Sequence, residues 1–307
     1  TGGDVDYVGT AYTFGIKPLQ YELWMWGGNE YGELGQNQGP AQTDAYSSPV
    51  QIPGEKWDYV VTKRGSATAT RTDGTLWTWG DNGEGQLGLN DRNKRSSPTQ
   101  IPGTWSTKSL MAGNYTNAVI RDDGTFWTWG GNAWGQLMQN NRQVYYSSPV
   151  QIPGTNWSTH PFHGGGSVQG NTKTDGTLWM AGYNAYGTLG QNNRTYYSSP
   201  VQIPGTNWAY AHGGAVNSML AVKTDGTLWT WGMNTYGELG LNSQDRYSSP
   251  VQVPGTTWGS GKGKLASGTT GSAAAVKTDG TLWTWGYNTS GELGQNNETK
   301  YSSPVQV

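Results

Sequence analysis

The chain has 307 residues, of which 48 are Gly and only 13% are charged, and its formal net charge is −2. That balance gives no basic footprint for nucleic acid or an anionic membrane, and no apolar run reaches the roughly 18–20 residues needed to span a bilayer. With no Cys there are no disulfides, thiolate metal ligands or cysteine nucleophiles, while 17 Trp and 18 Tyr supply ample area for a core.

Taken in chain order, the sequence repeats itself. A Trp pair opens at Trp24, Trp77, Trp127, Trp179, Trp229 and Trp283, and the segment TDGTLWTWG stands unchanged at 72–80, 224–232 and 278–286. A second marker, SSPVQIPG or a close variant, begins at Ser47, Ser96, Ser147, Ser198 and Ser248, with a sixth copy at 302–307. A period near fifty signals blades or solenoid turns. Within each unit two β-prone runs flank Asp-Gly, for which a type I′ hairpin is expected. The second run alternates, so Trp229 and Trp231 share one face while Leu228 and Thr230 share the other. A Gly-Asn-Gly loop follows, then the Ser-Ser-Pro strand, and a further strand around Trp258 is expected to complete the unit. Four short antiparallel strands per unit, with no helical period, predict an all-β, six-bladed β-propeller forming one domain over 1–307. The N- and C-terminal strands are expected to close the ring in a shared blade, with Ser303–Val307 lying beside strands near Tyr7 and Glu22–Trp26.

The block WGxNxxGxLG, at 26–35, 79–88, 231–240 and 285–294, resembles the repeat of the regulator-of-chromosome-condensation family, as do the flanking Asp-Gly and Ser-Pro elements. The resemblance implies the propeller fold and, as an alternative function, guanine-nucleotide exchange on a small GTPase; a bacterial or phage member is expected. Three departures stand out. Repeat four reads WMAG at 179–182, repeat three has Met138 where Gly is usual, and Gln20–Tyr21 replaces the first Asp-Gly. The family's usual seven blades are not reached.

No catalytic constellation emerges. Asp73, Asp123, Asp175, Asp225 and Asp279 are expected to make their own turns, and Asn29, Asn82, Asn132, Asn184, Asn234 and Asn288 to bond nearby backbone. Glu33, Glu238 and Glu292 alternate with Gln86, Gln136 and Thr188, which reads as a tolerant surface position. His160, His163 and His212 lack a metal-ligand spacing. The expectation is therefore no enzyme, no metal and no cofactor.

Two loop stretches differ between repeats and mix aromatics with amides and cations, a composition suited to glycan or protein recognition. Tyr31, Trp134, Tyr145, Tyr186, Tyr196 and Tyr236 are the candidate ligand-binding residues. Tyr46, Tyr146, Tyr197, Tyr247 and Tyr301 are expected to pack on blade edges. The leading functional expectation is a non-catalytic display, adhesion or structural module at an extracellular or virion surface. Its partners would be glycans, proteins or neighbouring structural chains, with no nucleic acid and no membrane insertion.

Overall fold

The computed structural model describes residues 21–39, 45–105, 109–113, 115–159, 162, 167–214, 217–261, 263–268 and 270–307. They form strands, turns and loops without a helix. Six antiparallel sheets follow one another along the chain. The first pairs β1 (Trp24–Gly28) with β2 (Ala45–Gln51); the second runs β3 (Trp57–Lys63), β4 (Ser66–Arg71), β5 (Leu76–Gly80) and β6 (Arg95–Ile101). The third contains β7 (Ser109–Ala112), β8 (Thr116–Ile120), β9 (Phe126–Gly130) and β10 (Tyr146–Ile152). The fourth has β11 (Val168–Thr172), β12 (Leu178–Gly182) and β13 (Tyr197–Gln202), with Trp157 bridged to Lys173 ahead of them. The fifth is β14 (Trp208–Gly213), β15 (Ser218–Lys223), β16 (Leu228–Gly232) and β17 (Tyr247–Gln252). The sixth is β18 (Leu265–Ser267), β19 (Ser272–Val276), β20 (Leu282–Gly286) and β21 (Tyr301–Gln306).

The expected unit is shifted by one strand. The segment around Trp258 opens the sixth sheet, bridging Lys277, and does not complete the fifth. Among the described residues the expected sharing of a blade between the termini is also not found. Residues 303–306 lie in β21, paired with β20 of their own sheet, and β1 pairs with β2; Tyr7 lies outside the described residues.

Local chemistry explains each element. In the Asp-Gly hairpins only the Gly has positive φ, as at Gly74 (+80°), so the turn is not type I′. The Arg71 carbonyl accepts from Gly74 N–H, giving a β-turn over Thr72–Asp73 followed by a left-handed Gly. The Asp73 carboxylate then accepts from both the Thr75 amide (3.0 Å) and its hydroxyl (2.6 Å). Thr75 Oγ1 accepts in turn from Trp77 Nε1 at 2.8 Å. The same relay recurs from Asp123, Asp175, Asp225 and Asp279.

Between the third and fourth strands the ladder slips at Ser-Ser-Pro: Thr230 faces Val251, but Gly232 faces Tyr247. Pro250 has no N–H to contribute, so its place at an irregularity is natural. The slip leaves the first Ser carbonyl free to bond the preceding sheet. Asn37, Asn90, Asn140, Asn192 and Asn242, all at positive φ, donate their amides to the carbonyls of Ser96, Ser147, Ser198, Ser248 and Ser302.

Each sheet also has two distinct faces. The second Trp of a pair points back: Trp79, Trp129, Trp231 and Trp285 are fully buried, and their Nε1 atoms donate to the carbonyls of Glu33, Gln86, Thr188 and Glu238 in the preceding loop. The aliphatic residue before the pair points forward, so Leu76 packs in one cluster with Trp129, and Leu228 with Trp285. The sixth sheet departs from this arrangement on its forward face and the first sheet on its backward one. Leu282 is 41% exposed and Trp26 62% exposed, whereas their equivalents in the other sheets are buried.

Candidate functional site

The invariant loop positions are structural. Asn82 is fully buried; its Oδ1 accepts from Leu87 N–H, and its Nδ2 donates to the carbonyls of Asp91 and Asn93. Asn29, Asn132, Asn184, Asn234 and Asn288 close their loops in the same way. The turn carboxyls sit below the usual aspartate range, held there chiefly by the Thr side-chain hydrogen bond in Asp73, Asp123, Asp175 and Asp225. In Asp279 the Thr281 backbone bond leads. The position expected to be a tolerant surface site is instead a loop staple. Glu33, Gln86, Gln136, Glu238 and Glu292 each accept the amide two residues earlier, and Gln86 and Glu238 are buried. Glu and Gln both present the required oxygen, which is why they interchange.

The Tyr preceding Ser-Ser-Pro packs on the sheet edge as expected, with the hydroxyls of Tyr46, Tyr146, Tyr197 and Tyr301 engaged by Gln38, Asn141, Asn193 and Asn297. His160 and His163 lie outside the described residues. His212 approaches Ser267 Oγ at 3.4 Å. Among the described residues no group of three His, Asp or Glu is placed to hold a metal ion.

The six candidate ligand residues lie at the seams between sheets, where the structure pairs them with neighbours. Lys94 stands over Tyr31 at 4.2 Å, Arg246 over Tyr186 at 5.1 Å, and Lys300 over Tyr236 at 4.9 Å. In each pair the aromatic comes from one loop, and the cation stands two residues before the next Ser-Ser-Pro. At the third seam that cation is replaced by an aromatic: Tyr196 meets Trp134 edge-on at 5.6 Å, and Tyr183 contacts Trp134, Tyr186 and Tyr196. Burial, followed by the neighbouring Tyr196 and Tyr186, raises the Tyr183 phenol. Tyr145 lies apart from this cluster under Arg92, at 4.8 Å. Tyr183 and Tyr287, which meets Tyr236 edge-on at 4.9 Å, were not anticipated. Reading adjacent repeats as pairs of positions would have found them.

These contacts are unequal in exposure. Trp134 (38%), Val144 (47%) and Tyr145 (45%) form the exposed apolar part of the third repeat's loops. A shallow depression of about 410 Å³ beside them is lined by Ala133, Trp134, Arg142 and Gln143. Neither 131–146 nor 183–197 contains a carboxylate, while each contributes one exposed arginine, Arg142 and Arg194. The chemistry available is therefore aromatic contact with guanidinium pairing, suited to an anionic or carbonyl-rich surface.

The regulator of chromosome condensation (RCC1) repeat matches residues 73–119, 225–258 and 279–307. The curated relative found is the Arabidopsis thaliana ultraviolet-B receptor UVR8, 24% identical over 188 residues, which are 60% of this chain and 42% of that protein. The chain thus spans less than half the length of this relative. Among solved structures, human WBSCR16 superposes with a TM-score of 0.75 at 19% identity over 93% of this chain and 78% of its own. Yeast RCC1 (Prp20), solved bound to Kap60, gives 0.76 at 17% identity over 93% and 70%. Prp20p from Saccharomyces cerevisiae, described with its binding to Gsp1p and histones, gives 0.75 at 19% over 93% and 72%. These likenesses carry the β-propeller fold, and the three matched segments resemble the regulator of chromosome condensation (RCC1) repeat.

Proposed function

We propose that the chain is a regulatory protein-binding propeller, its six sheets being six successive blades, with guanine-nucleotide exchange on a small GTPase as the first activity to test. The observation that carries protein binding is exposed Trp134, which lines a shallow depression together with Arg142. Large exposed aromatics with adjacent arginine are the side chains that anchor protein interfaces. The likeness to yeast Prp20, described in complex with Kap60 and for binding to Gsp1p and histones, favours regulation through protein partners. Surface adhesion, glycan binding and a virion or extracellular setting take no support from these relatives. The chain itself breaks no bond in this reading; it acts by binding.

The test is release of a fluorescent guanine nucleotide from a Ran-like GTPase, with and without the chain, beside direct binding of the same GTPase. Acceleration that disappears in Trp134→Ala/Arg142→Glu supports the reading. Binding without acceleration removes the exchange activity and keeps the protein-binding role. Absence of both, with histones and an importin equally inert, refutes it.

A further inference from the structure

The third repeat carries one residue more than its neighbours between the loop Leu and Ser-Ser-Pro. Leu137 and Ser147 stand one position further apart than Leu87 and Ser96, Leu189 and Ser198, Leu239 and Ser248, or Leu293 and Ser302. In those four repeats the buried loop Asn donates its Nδ2 to two carbonyls, as Asn184 does to Asn193 (3.1 Å) and Thr195 (2.9 Å). In the third, Asn132 reaches the Asn141 carbonyl at 3.1 Å and has no second one. Gln143, at a φ of 62°, donates its own backbone N–H to the Asn132 carbonyl at 2.9 Å. The extra residue is thus taken up as a bulge, and Gln143 of that bulge lines the depression of about 410 Å³ together with Ala133, Trp134 and Arg142.

The cation of this depression is uncommitted. At the equivalent position of the second repeat, Arg92 donates to the Gly83 carbonyl and stands over Tyr145 at 4.8 Å. Lys94, Arg246 and Lys300 stand over rings, and Arg95 pairs with Asp91 at 2.6 Å. Arg142 makes no hydrogen bond, ion pair or ring contact among the described residues. Its stem is nevertheless placed, because a Cβ added at Gly135 would lie 3.2 Å from Arg142 Cγ. Arg194 is equally free, but of the two only Arg142 lines the depression. Beside it the Trp134 indole is braced edge-on by Tyr183 at 5.1 Å and Tyr196 at 5.6 Å, and still keeps 38% of its surface open. Glu84 of the preceding loop lies against Gly131, outside the lining residues.

We propose that this depression receives the C-terminal residue of a partner polypeptide, with its free carboxylate on the Arg142 guanidinium and its side chain against the Trp134 indole and the Ala133 methyl group. A guanidinium offers a carboxylate two parallel N–H donors, and the Gln143 side-chain amide supplies a further donor for the remaining lone pairs. A terminal residue carries its carboxylate and its side chain on one Cα, so a small depression with a single cation beside an indole matches both. No carboxylate within 131–146 or 183–197 competes for the guanidinium. The inference rests on the protein-binding reading above and deepens it by naming the group of the partner that is recognised.

The test uses the whole chain and fluorescein-labelled peptides of Gly and Ser ending in Leu or Phe, each made as the free acid and as the C-terminal amide. Binding is read by fluorescence polarisation. The free acids should bind about tenfold or more tightly than the amides, and Arg142→Gln should bring the two to parity. Deletion of Gln143 gives the third loop the length of the fourth, and should abolish binding of the free acids while the unfolding midpoint holds. Should that deletion unfold the chain, Trp134→Ala decides the matter by weakening the free acids about fivefold or more. Equal binding of acid and amide, tighter binding of an amidated peptide with an internal Asp, or no binding of any peptide at about 1 mM overturns the proposal. If a Ran-like GTPase binds and the peptides do not, the inference falls and the protein-binding reading stands. If the free acids bind as expected while the GTPase, histones and an importin are inert, the inference stands and those partners fall.

Discussion

Met138 and Ala181 occupy the two sides of one seam and replace a glycine and a tryptophan together. In the other seams a loop Gly lies against the indole of the next sheet's second Trp: a Cβ at Gly88 would be 2.9 Å from Trp129 Nε1, and one at Gly240 2.9 Å from Trp285 Nε1. At the third seam the Trp is Ala181, and Met138 stands where the Gly would be. Both are buried in the same cluster, with Met138 holding a φ of 61°. A flexible thioether thus fills space that an indole fills elsewhere.

Exchange at this seam should be strongly coupled. Met138→Gly empties the space and should cost about 2–5 kcal/mol, in the range for large core truncations. Ala181→Trp inserts an indole against Met138 and should destabilise by about 1–3 kcal/mol or more. The double variant rebuilds the arrangement of the other seams and should recover most of the loss, with a coupling energy of up to about 3 kcal/mol. Denaturant unfolding of all four chains measures it, and additive losses would show that the two sites do not share the space.

Loop closure by the buried amide should be as sensitive as the core. Asn234→Ala removes the acceptor for Leu239 N–H and the donor to the Ser243 and Asp245 carbonyls. Each buried group left without a partner costs about 1–3 kcal/mol. The melting temperature should fall by many degrees, whereas Asn→Ala at exposed Asn296 should move it little.

The turn aspartates set the acid limit. Their folded pKa values lie below the unfolded reference, so the stability they add is present above about pH 4 and lost as pH falls through the depressed values. Asn at all five positions keeps an oxygen for the Thr amide and hydroxyl without titrating. The five-fold Asp→Asn chain should therefore show a flatter decline in unfolding midpoint than the parent as pH falls below about 4. An unchanged profile would place that sensitivity elsewhere.

Tryptophans on the two kinds of position should separate binding from folding. Trp129→Ala removes a fully buried indole and its bond to the Gln86 carbonyl, and should cost about 3–5 kcal/mol. Trp134→Ala, at an exposed rim, should change stability by about 1 kcal/mol or less. Partner affinity should fall for Trp134→Ala while its unfolding midpoint stays near that of the parent.

The repeat frame, the strand alternation and the turn roles of Asp and Asn were legible because each depends on residues within one unit. Relationships between units were not. The Glu/Gln staple looked like surface variation because the property it conserves is an oxygen, not a residue type. Met138 and Ala181 looked like two separate departures because 43 positions separate them in the chain. Likewise, the candidate aromatics were found as variable single positions, whereas their cationic partners belong to the next repeat. The strand around Trp258 was assigned to the wrong sheet for a related reason, since a linker gives no sign of which side of a boundary it serves.

The backbone bonds from each loop to the following Ser-Ser-Pro strand give the array a direction. A repeat holds its successor by the loop amide and is held by its predecessor through the indole, so damage to one unit should be felt unequally on its two sides. Such an array cannot be shuffled one repeat at a time without regard to order. An inserted or exchanged unit must match the loop before it and the strand after it, which makes the inheritable module a junction, half of one repeat and half of the next.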